Sequence, residues 1–245
     1  GVQVYTWCWN EYGQLGNIIK GRSVHSPTRI MFDNDWTVVT AGHGFVAGIK
    51  SGALWTWGHN FRNELGQGQA TDDALRPTKV GTDTDWVAVN AGFFHTLALK
   101  ANGTLWGWGF DEAGDSSGTG GADKRIVVPT QIGADTDWVQ VGAGGHHNLV
   151  LKADGSIWGF GWGANGRAGD GVSEGHVRAL GPIGTDKDWV WVDSGYEVSY
   201  ALKADGSLWA FGRDNRGQGG DGGSCGNETD EVLLPTKVLE GVRLP

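Results

Sequence analysis

Twelve of the fourteen tryptophans of this 245-residue chain fall on one repeating grid of about fifty residues. An aromatic pair recurs as Trp7/Trp9, Trp55/Trp57 and Trp106/Trp108, then as Trp158/Phe160 and Trp209/Phe211; its second member steps by 48, 51, 52 and 51 residues. A tryptophan after an aspartate recurs at Trp36, Trp86, Trp138 and Trp189, and only Trp162 and Trp191 stand off the grid. Self-similarity at this period means a repeat architecture, in which copies of one supersecondary unit stack to bury a shared core.

Each unit reads as four strands. The segment after Asp-Trp alternates with period two, as in 85–92 and 137–144, and ends at a fixed glycine: Gly42, Gly92, Gly144 or Gly195. A second strand follows at 45–50, 95–100, 147–152 and 198–203. It ends in Ser-Gly, Asn-Gly or Asp-Gly, a hairpin signal because the tight turn needs positive φ. The third strand carries the aromatic pair. A loop of about twenty residues leads to a short edge strand, such as the Pro-Thr-Lys-Val at 77–80 and 235–238, where proline at the start is tolerated.

A four-stranded sheet of this kind cannot bury both faces alone. Radial stacking around an axis solves that problem and leaves only short edges. The expectation is an all-β, single-domain β-propeller over 1–245, with about five four-stranded repeats, one incomplete: roughly 1–32, 33–82, 83–134, 135–185 and 186–245. There are five aromatic-pair strands and five edge strands but four of each of the first two. We expect a compact five-unit ring with one thin blade, the alternative being part of a longer propeller. The grid aromatics become packing between blades, each burying some 150–250 Å².

The segment 91–109 (AGFFHTLALKANGTLWGWG), the Gly-Gln-Leu-Gly at 13–16 and the Pro-Thr-Lys-Val edges resemble repeats of the regulator of chromosome condensation family, across essentially the whole chain. The resemblance implies a propeller. It is poor for function, since the family includes exchange factors, inhibitors and scaffolds. The Asp-Thr-Asp-Trp phrasing resembles bacterial secreted or surface repeats, such as those of propellers that inhibit β-lactamases, which implies an extracellular or cell-surface location.

Composition narrows the partners. Glycine makes up 44 of 245 residues, against an ordinary usage of about 7%, and it recurs at fixed phases as turn chemistry. Net charge is −9 with no long basic stretch, which argues against nucleic acid. No apolar run approaches the ~20 residues of a membrane-spanning helix, so no membrane insertion is expected. Cys8 reads as a small filler between Trp7 and Trp9, and count alone leaves a Cys8–Cys225 disulfide open.

In a four-strand meander, the turn after strand one and the loop after strand three emerge on the same face. The two residues after the fixed glycine vary there: His43 and Gly44, Phe93 and Phe94, Gly145 and His146, Tyr196 and Glu197. The residue opening the long loop also varies: Glu11, His59, Phe110, Trp162 and Arg213. The candidate binding residues are Phe93, Phe94, Phe110, His146, Trp162, Tyr196 and Glu197, because aromatics beside charged groups are typical of protein-binding hot spots. His95 and His147 share a phase with Phe45 and Val198 and so read as packing residues, while Trp191 reads as core.

No phosphate loop, nucleophile elbow or zinc-protease motif is present, and 221–231 lacks the ligand spacing of a calcium loop. The expectation is a non-catalytic module without cofactor or metal that binds a protein partner. A glycan-binding propeller is the alternative, disfavoured because no aromatic-plus-polar site recurs in every unit. A guanine-nucleotide exchange factor is a third reading.

Overall fold

The computed structural model describes residues 3–30, 35–68, 72–111, 124–175, 177–222 and 230–243. It holds eighteen strands and one short 3-10 turn at Ala164–Gly166. A two-stranded sheet comes first, β1 (Tyr5–Cys8) with β2 (Val24–Arg29). Four four-stranded antiparallel meanders follow. The first has β3 (Trp36–Ala41), β4 (Phe45–Lys50), β5 (Ala53–Gly58) and β6 (Ala74–Lys79). The second has β7 (Trp86–Ala91), β8 (His95–Lys100), β9 (Leu105–Asp111) and β10 (Lys124–Ile132). The third has β11 (Trp138–Ala143), β12 (His147–Lys152), β13 (Ile157–Trp162) and β14 (Val177–Pro182). The last has β15 (Trp189–Ser194), β16 (Val198–Lys203), β17 (Leu208–Arg213) and β18 (Glu231–Leu239). Prolines 77, 129 and 235 lie inside their outer strands, beside register shifts, rather than at the strand starts. A missing amide is tolerated at such a bulge.

Hydrophobic clusters sit between sheets. Ala47, Ile49 and Leu54 of the first meander pack with Trp86, Val89 and Trp108 of the second. Leu97, Leu99 and Leu105 pack with Trp138, Val141 and Phe160 of the third. Leu149, Leu151 and Ile157 pack with Trp189, Val192 and Phe211 of the last. Ile30 and Val4, which flank the strands of the two-stranded sheet, meet Trp36, Val46 and Trp57. The sheets are consistent with the expected propeller of about five units, the two-stranded sheet being the thin one; among the described residues no hydrophobic cluster joins the last meander to that sheet. Trp191, expected in the core, is half-buried and outside these clusters. Its phase is that of Val38 and Ala88, which pack toward the following sheet.

The structure shifts the register of the first repeat by two residues. Tyr5 pairs with Arg29 and Thr6 with Thr28, as Trp55 pairs with Lys79 and Thr56 with Thr78. Thr6 Oγ1 donates to Leu15 O (2.7 Å) as Thr56 Oγ1 donates to Leu65 O (2.8 Å). The aromatic pair is therefore Tyr5/Trp7, and Trp9 has the phase of His59, Phe110, Trp162 and Arg213. Cys8 is not a packed filler. It is exposed and holds φ +82°, where the other repeats place Gly58, Gly109, Gly161 and Gly212 at +98° to +115°. Cys225 lies outside the described residues.

The fixed glycines have a steric cause. A Cβ on Gly42, Gly92 or Gly144 would lie 2.5–2.6 Å from the carbonyl oxygen of the fixed glycine in the next sheet. That oxygen accepts a backbone hydrogen bond from the residue after the preceding glycine, His43 N to Gly92 O (3.4 Å), Phe93 N to Gly144 O (3.2 Å) and Gly145 N to Gly195 O (3.2 Å). The inner strands are thus stitched to one another at one end.

The opposite end repeats a cation cage. Lys100 Nζ lies 4.9 and 4.7 Å from the ring centroids of Trp86 and Trp106, Lys152 4.7 Å from both Trp138 and Trp158, and Lys203 4.7 and 4.9 Å from Trp189 and Trp209. Each ammonium also meets two aspartates, such as Asp135 (2.6 Å) and Asp137 (3.1 Å) for Lys152. Burial pulls these lysine pKa values down, and the aspartate hydrogen bonds more than offset it, leaving a net rise. The Asp-Thr-Asp-Trp phrase (Asp-Lys-Asp-Trp at 186–189) and the lysine ending the second strand are two halves of one contact.

Candidate interaction face

One recurring hydrogen bond builds the opposite, loop-bearing face. The residue opening each long loop donates its backbone N–H to the carbonyl of the second turn residue: His59 to Gly44 (2.8 Å), Phe110 to Phe94 (2.9 Å), Trp162 to His146 (2.7 Å) and Arg213 to Glu197 (2.8 Å). The two variable positions of each repeat are therefore adjacent, on a backbone that does not vary.

Phe93 occupies the middle of the face. Its ring stacks on His43 (centroids 4.0 Å, 18°), meets Phe94 edge-on at 4.3 Å, and lies 5.2 Å from Tyr196 and 6.0 Å from His146. Rings from all four meanders thus converge over a mouth floored by Ala41, Ala91, Ala143 and the fixed glycines. Beside it the Arg62 guanidinium is held between Phe94 (4.2 Å) and Phe110 (4.1 Å). Arg125 Nη1 donates to Phe61 O (3.0 Å), and its guanidinium lies 5.2 Å from the Phe61 ring. Trp9, Tyr12, His59 and Phe61 extend the band toward the first repeat.

Of the sequence-derived candidates, Phe93, Phe94, Phe110, His146 and Tyr196 come together in this cluster. Tyr196 is 53% exposed, and the two phenylalanines of the turn are half-buried. Trp162 stands apart and is roofed by its own loop: a Cβ on Gly175 would lie 2.5 Å from its ring. The Glu197 carboxylate is held by Arg167 Nη2 (3.0 Å) and Arg213 Nη1 (2.9 Å) and braces the last meander. The sequence reading left out Trp9, Tyr12, His43, Phe61 and Arg62. The available signal was their phase, with Trp9 hidden by the register of the first repeat.

His95 and His147 are buried and lie within hydrogen-bond distance of the next sheet, His95 Nε2 to Asn148 Oδ1 (2.7 Å) and His147 Nε2 to Ser199 Oγ (2.8 Å). Burial lowers the His95 pKa to about 4 and that of His147 well below its usual value, so both are neutral at pH 7. Among the described residues no cluster of three His, Cys, Asp or Glu side chains could hold a metal ion.

The profile described as Regulator of chromosome condensation (RCC1) repeat matches residues 3–49 and 51–99, and a second profile of that description matches 86–115 and 138–167. The human E3 ubiquitin-protein ligase HERC2 is 30% identical over 152 residues, covering 60% of this chain and 3% of that protein. The ultraviolet-B receptor UVR8 of Arabidopsis thaliana is 28% identical over 140 residues, covering 56% of this chain and 30% of the receptor. Yeast RCC1 (Prp20), solved bound to Kap60, superposes with a TM-score of 0.82 at 18% identity, over 97% of this chain and 57% of its own. Human WBSCR16 superposes with a TM-score of 0.84 at 20% identity, over 98% and 66%. The likeness to these structures is one of fold, and this chain spans less than two thirds of each relative.

Proposed function

We propose that this chain, which belongs to the regulator of chromosome condensation repeat family, is a non-catalytic module that docks a protein partner on its loop-bearing face. The observation that carries this reading is the convergence of Phe93, Phe94, His43, His146 and Tyr196 from four successive sheets, flanked by Arg62 between two phenylalanines. Rings and arginines on a backbone fixed by sheet-to-sheet hydrogen bonds present apolar area at low entropic cost, which is how binding hot spots are composed. A relative points the same way: yeast Prp20 was solved bound to Kap60 and described with binding to Gsp1p and histones. A guanine-nucleotide exchange factor, the less favoured reading, would also dock a protein but would act on it catalytically.

The test is capture of partners from the native source by the wild-type chain and by a Phe93→Ala/Tyr196→Ala variant, with a glycan array on the same pair. A protein captured by wild type and lost from a folded variant supports the reading. Capture unaffected by the variant, or glycan binding without a protein partner, overturns it. Phe94→Ala should also lose the partner while keeping the fold, whereas Trp162→Ala should weaken binding less because its loop covers it.

A further inference from the structure

The seam between the first two meanders is open at its outer rim. A cleft of about 570 Å³ lies there between β6 and β10, with Trp86 and Trp106 in its wall. One junction on, the same seam is covered: a Cβ on Gly133 would lie 3.8 Å from Leu180 Cδ2, whereas a Cβ on Gly81, at the same phase, would meet nothing within 4 Å. The residue at the phase of Leu180 is Pro129, since Gly107 pairs with Thr130 as Gly159 pairs with Gly181. The proline ring is too short to close over Gly81, and the cleft stays open.

The groups around this cleft are mostly acceptors on an aromatic wall. Trp106 is half-buried, and its indole N–H already donates to Thr104 Oγ1 (2.8 Å), so it offers the cleft ring surface. Gln67 Nε2 donates to Thr56 O (3.1 Å) and Thr56 Oγ1 (2.9 Å), which fixes the amide and leaves Oε1 to accept. Asp83 Oδ2 accepts from Lys100 Nζ (2.5 Å), which leaves Oδ1 to accept. Thr82 adds an exposed hydroxyl at the rim. A ligand suited to oriented amide and carboxylate oxygens brings O–H or N–H donors, and one suited to the indole brings an apolar face. A pyranose has both, with C–H bonds on its faces and hydroxyls around its edge.

We propose that this cleft is a saccharide-binding site, in which one pyranose residue stacks on Trp106 and donates hydroxyls to Gln67 Oε1 and Asp83 Oδ1. The site lies at the outer rim and shares no residue with the loop-bearing cluster, so it acts beside the protein-docking face and independently of it.

A glycan array, followed by saturation-transfer NMR with the methyl pyranosides of glucose, galactose and mannose, tests it on wild type, Pro129→Leu and Phe93→Ala/Tyr196→Ala. Leucine at 129 should close the seam as Leu180 does at the next junction. Wild type should retain a saccharide. Pro129→Leu, at unchanged Tm, should bind it at least about tenfold more weakly, because the filled cleft clashes with the ligand. The loop-face variant should bind it as wild type does. Should Pro129→Leu melt lower, Gly81→Asn blocks the cleft from its other wall, at a positive φ (+62°) that asparagine tolerates. No saccharide retained by wild type, retention unchanged in the cleft variants, or retention lost only from the loop-face variant each overturns the proposal. Capture of a protein partner should be unchanged in Pro129→Leu, so either reading can fail without the other.

Discussion

The imidazole of His95 lies 2.7 Å from the Oδ1 of Asn148, across the junction between the second and third meanders, and is fully enclosed there. His147 makes the matching contact with Ser199 one junction on. Both rings are held neutral by burial, with pKa values below those of the unfolded chain. The unfolded state therefore takes up protons first as pH falls from about 6.5. Stability should be complete above that value and drop toward pH 4, by up to about 1.4 kcal/mol per pH unit for each histidine. Urea unfolding at pH 7 and pH 5 measures the slope, and His95→Phe, which places at 95 the residue found at 45, should flatten it. An unchanged slope would mean that His95 is not buried neutral.

Gly92→Ala should destabilise by about 1–3 kcal/mol, because its Cβ would meet the Gly144 carbonyl oxygen and the His95 ring, both at less than 2.7 Å. Gly195→Ala should be tolerated, since only Val198 lies near, at 3.2 Å or more. Thermal melts of the two variants make the comparison. Equal losses would show that the glycines serve the chain's local conformation and not the sheet-to-sheet approach.

Lys152→Met keeps the aliphatic stem but removes the charge between Trp138 and Trp158. The expected loss is about 1–2 kcal/mol, the range for a partly desolvated cation over aromatic rings. Chemical denaturation measures it. A loss below a few tenths would make the cage a packing feature only.

Trp106, Trp158 and Trp209 donate their indole N–H to Thr104, Ser156 and Ser207, and each hydroxyl bonds Asn102, Asp154 or Asp205 in the turn. In the first meander that hydroxyl is missing because position 53 is alanine, and the buried Trp55 Nε1 has no protein partner. Ala53→Ser with Ser51→Asn should restore the pattern and stabilise by roughly 0.5–1.5 kcal/mol. A melting temperature no higher than wild type would count against this account of the turn.

The period, the strand order and the propeller class were legible in the sequence because they rest on local physics. Alternating side chains mark strands, Asn-Gly and Asp-Gly mark hairpins, and a fifty-residue recurrence marks stacked units. The varying turn positions also marked the loop-bearing face, since strand direction alone decides where turns emerge. The register of the first repeat was not legible: a slip of two residues returns every side chain to the same face of its strand, so Trp7/Trp9 and Tyr5/Trp7 fit the pattern alike. Pairing of Tyr5 with Arg29 and the positive φ of Cys8 decided between them. Tertiary structure also decided what the fixed glycines, the strand-ending lysines and Glu197 do, because each acts on a residue about 15 to 50 positions away. It alone showed that Phe93 gathers rings from neighbouring sheets while Trp162 lies under its own loop, since the distance between two loops is set by how the sheets stack.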